Sequence, residues 1–231
     1  MCIIAYVPAG EQIPASTIKT MFRNNPDGAG IMWKDTERGV ISIEKGFMTL
    51  NELLAAWKRI PKNAERAIHC RIATSGKISA ACCHPFPVSK DIKDCFVTQL
   101  DYGAAVMHNG IIPFCTPDGG MLSNVSDTML FTTKVLAQLN SKLDSEFIQS
   151  MIEESINYSR LLIFRANKST LFFGHWFKNN GVYYSNESYI DRPLKCKRLT
   201  CCDNLEAGLG DGLEVDSPLV STYFEDSIID L

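Results

Sequence analysis

Apolar positions recur along the chain with two periods, and each period predicts a different kind of element. Ile3 to Val7 is an unbroken apolar run of strand length, which suits a strand buried on both faces. Ile31-Met32-Trp33 and Val40 to Lys45 flank a turn at Glu37-Arg38-Gly39. The second of these runs alternates Ile41 and Ile43 with Ser42 and Glu44, as one arm of a half-buried hairpin does. Leu50, Leu53, Leu54 and Trp57 then follow helical spacing, with Thr49 placed to cap the first turn. Ala67 to Ile72 and Gly103 to Met107 read as further core strands. Two more helices are expected. One carries Phe131, Val135 and Leu139 on a single stripe and is entered through Ser126-Asp127; the other carries Phe147, Ile148, Met151 and Ile152 behind Asp144-Ser145. Strands return at Arg160 to Arg165, Thr170 to Gly174 and Val182 to Ser185, with a turn at Asn167-Lys168-Ser169. Strands, helices and strands again, with no repeat and no Pro/Ser-rich linker, predict one mixed domain of layered sheets over residues 1–202.

Composition narrows the function classes. The 231 residues are 45% hydrophobic and 21% charged, with a formal charge of −3, which excludes a polybasic nucleic-acid binder. No apolar run approaches the roughly 20 residues of a spanning helix. The opening Met1-Cys2-Ile3-Ile4 has no basic lead-in, so a secretory signal is not expected and a cytoplasmic chain is. Residues 203–231 hold eight acidic and no basic residues, an acidic tail expected to be solvated. Nine cysteines without an export signal suggest reduced thiols. Cys82-Cys83-His84 and Cys196 with Cys201-Cys202 contain no C-x-x-C pair, so they read as small buried hydrophobes rather than zinc ligands. No metal or cofactor is expected.

Candidate chemistry begins at Cys2. A small second residue permits removal of the initiator Met, which would place a thiol and a free α-amine on one residue. The amine's reference pKa, about 7.7–8.0, lies close to the thiol's, so nucleophile and base would be combined. Arg71, in His69-Cys70-Arg71-Ile72-Ala73-Thr74-Ser75-Gly76, ends a predicted strand and suits bidentate pairing with a carboxylate or with a local acid. Asn109-Gly110 reads two ways: as a hairpin turn, or as an oxyanion hole formed by the Asn109 side-chain amide and the Gly110 N–H. Ser126-Asp127 reads as a helix cap, and Asp127 also as a partner for an ammonium group. Asn25-Pro26-Asp27-Gly28-Ala29-Gly30 is a turn by composition.

Taken in order, Cys2, Asp27-Gly28-x-Gly30, His69-x-Arg71-x-Ala73-Thr74-x-Gly76, His108-Asn109-Gly110-x-Ile112 and Ser126-Asp127-Thr128 resemble the class II glutamine amidotransferase domains of the N-terminal nucleophile hydrolases. Cys83-His84-Pro85-Phe86 and Ser185-Asn186-Glu187-Ser188 are similar to further family segments. The resemblance implies an α+β fold, a four-layer αββα sandwich with mostly antiparallel sheets. It implies that Cys2 attacks the side-chain amide of L-glutamine, that Asn109 and Gly110 form the oxyanion hole, that Arg71 and Thr74 hold the α-carboxylate and that Asp127 holds the α-ammonium. Glutamate and ammonia would result, the ammonia passing to a synthase or transferase partner in trans, because no second reaction motif is present. Ile72, Ser75, Cys82 or Cys83, and Met129 depart from residues usual in the family. Two other readings stand beside this one: an amidase of the same kind acting on another γ-glutamyl or acyl amide, and a non-catalytic binding descendant.

Overall fold

A computed structural model describes residues 2–74, 76–119 and 123–191, all within one unit of the chain. Met1, Ser75, residues 120–122 and residues 192–231 lie outside the described residues. With them go the expected boundary at 202, the acidic tail, and Cys196, Cys201 and Cys202.

The architecture is α+β, built on two antiparallel sheets. The larger sheet has the order β10 (Phe177–Asn179), β11 (Val182–Tyr184), β1 (Ile3–Val7), β4 (Arg66–Cys70), β2 (Ala29–Asp35), β3 (Val40–Phe47) and β6 (Gln99–Tyr102). The smaller has the order β5 (Phe86–Pro87), β7 (Ala104–Asn109), β8 (Arg160–Arg165) and β9 (Leu171–Phe173). Strand parity sorts the side chains. In β1, Ile3, Ala5 and Val7 pack in one cluster with Ile18 and Met21 of α1 (Ala15–Asn24) and with Leu53 and Trp57 of α2 (Leu50–Arg59). Ile4 and Tyr6 face the other way and meet Ala105, Met107, Leu162 and Phe164 of the smaller sheet. That sheet's opposite face, with Val106 and Ile163, packs against Phe131 of α3 (Asp127–Phe131) and Ile152 of α5 (Glu146–Ile156). The continuous apolar run at residues 3–7 is thus explained: both faces of β1 are buried.

Local signals account for most elements. Thr49 and Glu52 form a reciprocal capping box on α2, an arrangement that contributes about 1 kcal/mol. Ser126, not Asp127, caps α3, its Oγ accepting the Met129 N–H at 3.2 Å. One helix was not expected and three expectations need correction. Helix α1 follows Pro14 with no side-chain cap, so no start signal marked it. The stripe through Phe131, Val135 and Leu139 is broken by a π-helical turn at Thr132–Leu136, before α4 (Ala137–Leu139). The fully buried pair becomes Phe131 and Leu136. Of the four stripe residues expected on α5 only Ile152 is buried, joined by Ile156 one turn on, whereas Phe147 is 71% and Met151 49% exposed. Finally, Asn109-Gly110 does not close a hairpin: β7 runs on to a 3-10 turn at Pro113–Cys115 and pairs with β8, Asn109 opposite Arg160.

Candidate functional site

Cys2 immediately precedes β1, and alternation puts it on the same inter-sheet face as Ile4 and Tyr6. Asn109 ends β7 on the face of Ala105 and Met107, which points back toward β1. Cys2, Thr74, Asn109 and Gly110 consequently line one cavity of about 360 Å³. Ile111, Pro113, Asn157, Tyr158 and Ser159 complete the lining, which is mostly apolar.

The nucleophile candidate is held from two sides. Its Sγ donates to the Ile72 carbonyl at 3.2 Å and receives the Ile72 N–H at 3.3 Å. This exchange also explains why β4 stops at Cys70 instead of reaching Ile72. The Cys2 carbonyl accepts a 2.7 Å hydrogen bond from Asn186 Nδ2. Burial pushes the Cys2 thiol up from its ordinary value, against opposing pulls from the Ile72 backbone and the Arg71 charge. The thiol is therefore protonated at neutral pH, and attack on an electrophile requires a base beside it.

Ser185, fully buried after β11, links the nucleophile strand to the other sheet. Its Oγ accepts the Ile4 N–H at 2.8 Å and lies 2.9 Å from Asn109 Nδ2, and its own N–H donates to the Ile4 carbonyl at 3.0 Å. Asn109 Oδ1 is buried without a partner. The two ends of an amide are told apart by their hydrogen bonds. Turning the Asn109 amide over lets the Ser185 hydroxyl donate to Oδ1 and frees both Nδ2 protons for an incoming anion. Gly110 continues this wall. A Cβ there would stand 2.0 Å from Ser159 Oγ and 2.9 Å from Ser159 Cα, at a φ of +149°, so no side chain fits.

No family model matches the chain, and no curated protein does.

Of the six residues singled out in the sequence, four share the cavity wall. Arg71 and Asp127 do not line it. The Arg71 guanidinium donates to the carbonyls of Gly76 and Lys77, each at 3.0 Å. Asp127 accepts the Ile112 N–H at 2.8 Å and the Thr128 N–H at 2.7 Å. Both charged groups thus hold the loops that frame the site. Asp27 does similar work, its carboxylate receiving the Ala73 N–H at 2.9 Å. Gly30 admits the His84 backbone, whose carbonyl would lie 2.0 Å from any Cβ.

Behind the cavity lie three buried histidines without roles in the sequence reading. His69 Nε2 lies 3.1 Å from the His108 carbonyl and must be the protonated nitrogen; its Nδ1 has no partner. His108 Nδ1 bonds Thr128 Oγ1 at 2.9 Å, and its Nε2 is unpartnered. His84 has partners on neither nitrogen and stacks near His69 and Phe86, with ring centroids 4.3 and 4.6 Å away. Burial depresses all three: His69 to about 3, His108 to about 4, His84 well below its ordinary value. Lys45 is also buried and pushed down to about 7 by desolvation. Its ammonium donates to the Ala81 and Cys95 carbonyls at 2.9 and 2.6 Å, over the Phe86 ring. Among the described residues, no group of three or more His, Cys, Asp or Glu is placed to hold a metal ion, and no helix is long and apolar enough to cross a membrane.

Sequence reasoning missed Ser159, Tyr158 and Asn157, which carry no motif, and assigned no role to Ser185. The available signal for Ser185 was a polar residue at an inward position directly after the apolar run Val182-Tyr183-Tyr184.

Proposed function

We propose that this chain is a glutamine amidohydrolase or amidotransferase of the N-terminal nucleophile kind, working through a thioester on Cys2. The supporting observation is that Cys2, Asn109 and Gly110, contributed by different sheets, line one cavity. A binding module has no use for a nucleophile beside two oxyanion donors. Loss of Met1 exposes the Cys2 α-amine, which takes the thiol proton as Sγ adds to the amide carbon. The developing oxyanion receives hydrogen bonds from Asn109 Nδ2 and the Gly110 N–H, a pair in which each donor contributes on the order of 100-fold or more to rate. The ammonium form of the amine returns its proton to the leaving nitrogen, ammonia departs, and water hydrolyses the thioester to glutamate.

On this reading the fold is the four-layer αββα sandwich, supported by the three apolar clusters that separate helices, sheet, sheet and helices. Thr74 faces the cavity and suits the α-carboxylate. Arg71 and Asp127 would exchange backbone partners for the carboxylate and ammonium of free glutamine. The ammonia passes to a synthase or transferase in trans, in the cytoplasm, with no nucleic acid or membrane involved.

The test is ammonia release from an amide by purified protein, with intact mass before and after labelling by 6-diazo-5-oxo-L-norleucine. Loss of Met1 and one adduct abolished by Cys2→Ala are expected. Retained Met1 in a pure, soluble sample sinks the mechanism, because the amine at Cys2 would be acylated and could not act as base. The second reading, an amidase for another acyl amide, is favoured by one observation: the mostly apolar lining of the cavity that Cys2 borders.

A further inference from the structure

A second cavity, of about 210 Å³, lies on the helix-covered side of the larger sheet and is lined by residues of α1, α2 and β4. It shares no residue with the cavity at Cys2. Strand parity accounts for its one buried charge. Arg66 begins β4 and points the same way as Ile68 and Cys70, into the layer of Ile18, Leu53 and Trp57 rather than toward the smaller sheet. It is 4% exposed at a position where an apolar side chain is the usual occupant.

The partners of Arg66 are all neutral. Its Nη2 donates to the Glu11 carbonyl at 3.0 Å and its Nη1 to the Ile60 carbonyl at 3.5 Å, and the guanidinium lies over the Trp57 ring, 4.7 Å from its centre. The Nε N–H is buried with no partner. The adjacent carboxylate of Glu65 accepts instead from Tyr6, Lys34 and Thr170. Two exposed cations, Lys58 and Lys62, line the same cavity, and among the described residues no ion pair includes either of them or Arg66. A buried guanidinium held by carbonyls and a ring is costly, and an anion that joins it recovers part of that cost. Away from Arg66 the walls are apolar, with Ile13 and Ile18 facing Leu54 and Trp57.

We propose that this cavity binds a small organic carboxylate, its carboxylate on Arg66 and an apolar body of about one ring among Ile18, Leu54 and Trp57. The volume sets the size limit, since it falls below the roughly 300–1,000 Å³ of sites for drug-sized ligands. One buried guanidinium balances a single negative charge, so a monocarboxylate suits these walls better than a phosphate dianion. Lys58 and Lys62 draw the anion to the mouth.

Calorimetric titration of the full chain with phenylacetate tests the site, with phenethyl alcohol and phenethylamine as probes of the same body without the negative charge. Saturable binding of phenylacetate is expected, at least about tenfold tighter than that of either control, the scale of a charge-assisted hydrogen bond. Arg66→Met should remove that preference. Lys58→Gln combined with Lys62→Gln changes only exposed positions and should weaken phenylacetate binding by about two- to fivefold, a readout that stands even where Arg66→Met does not fold. In isotope-labelled protein the Trp57 indole N–H signal, identified by its loss in Trp57→Phe, should move during the titration while that of Trp176, packed between the sheets, stays. Absence of saturable phenylacetate binding overturns the proposal. So does equal binding of phenethyl alcohol, tighter binding of phenyl phosphate, or an unmoved Trp57 signal.

Discussion

Lowering the pH from 7 to 5 should unfold this protein far more than carboxylate titration can explain. The cause is the three histidines packed behind the cavity. In the unfolded chain each takes up a proton near the ordinary value of 6.5, whereas the folded chain holds His69 at about 3, His108 at about 4 and His84 well below 6.5. Between those limits the unfolded state binds more protons, so stability present above about pH 6.5 drains away as the pH falls. At pH 5 each histidine removes about 2 kcal/mol and the three together about 5–6 kcal/mol, set mainly by the unfolded value and insensitive to how deep the folded values lie. That sum rivals the whole stability of a typical domain, about 5–15 kcal/mol. Urea unfolding followed by tryptophan fluorescence at half-unit steps from pH 7.5 to 5 would read it. The slope of unfolding free energy against pH should approach three protons, or about 4 kcal/mol per pH unit, at the acid end. His84→Leu, which removes the ring with no hydrogen-bond partner, should reduce that slope by about one proton. A flat profile down to pH 5, or a slope below one proton, would refute the argument by showing that these rings ionise inside the fold.

Ser185→Ala should lower kcat by about tenfold or more with little change in KM, and Ser185→Thr should restore much of it, because the hydroxyl orients the Asn109 amide; equal losses in kcat and thermal stability for both variants would reduce Ser185 to packing. Asp127→Ala removes a carboxylate that holds two backbone N–H groups, so a loss of about 2–3 kcal/mol is expected; a large rise in KM for L-glutamine beside it would mean that Asp127 also holds the substrate's ammonium, and an unchanged KM that it only braces its loop. Lys45, held at about 7 when folded and near 10.5 when unfolded, makes the unfolded state the better proton binder above neutrality. Stability should therefore rise by roughly 1.5 kcal/mol between pH 7 and 8.5, and Lys45→Met should abolish that rise. The window closes above pH 9, where buried thiols such as Cys83 and Cys95, raised to about 11, begin to favour the unfolded state.

Legibility followed the range of the interactions involved. Strand β1 and helix α2 were readable because their causes are local: five consecutive apolar residues in one, a capping box and a helical stripe in the other. Asn109-Gly110 shows where local reasoning divides. The dipeptide is a strong hairpin signal, yet β7 pairs with a strand that arrives only at Arg160, and the glycine is required by the approach of Ser159. The apolar repeat at Phe147, Ile148, Met151 and Ile152 described a helix correctly but not its partner, since only part of that stripe finds a face to cover it. Arg71 and Asp127 were found by pattern, but the backbone groups they hold in loops 76–77 and 112 are announced by no residue type. The buried histidines were visible as letters inside motifs; that their rings would lack partners depends on how two sheets close over one another.

That closure ties stability to the site. Cys2 and Asn109 meet because β1 and β7 each turn alternate residues toward the gap between the sheets, and a one-residue slip in either would send its side chain to the helix-covered face. Two side chains guard the register directly beside the cavity. Ser185 joins the Ile4 backbone to the Asn109 amide, and His69 donates to the carbonyl of His108, the residue preceding Asn109. From His108 the chain of bonds continues through Thr128 to Asp127 and so to the Ile112 N–H, which brings the loop after Gly110 under the same control. A proton added to His69 Nδ1 or His108 Nε2 would be a buried donor with no acceptor, inserted into that chain at its centre. Amide hydrolysis, assayed at pH values where the protein is still mostly folded, should therefore lose kcat in step with the first loss of stability. If instead activity persists unchanged until global unfolding, the histidine chain registers the sheets without setting the oxyanion donors.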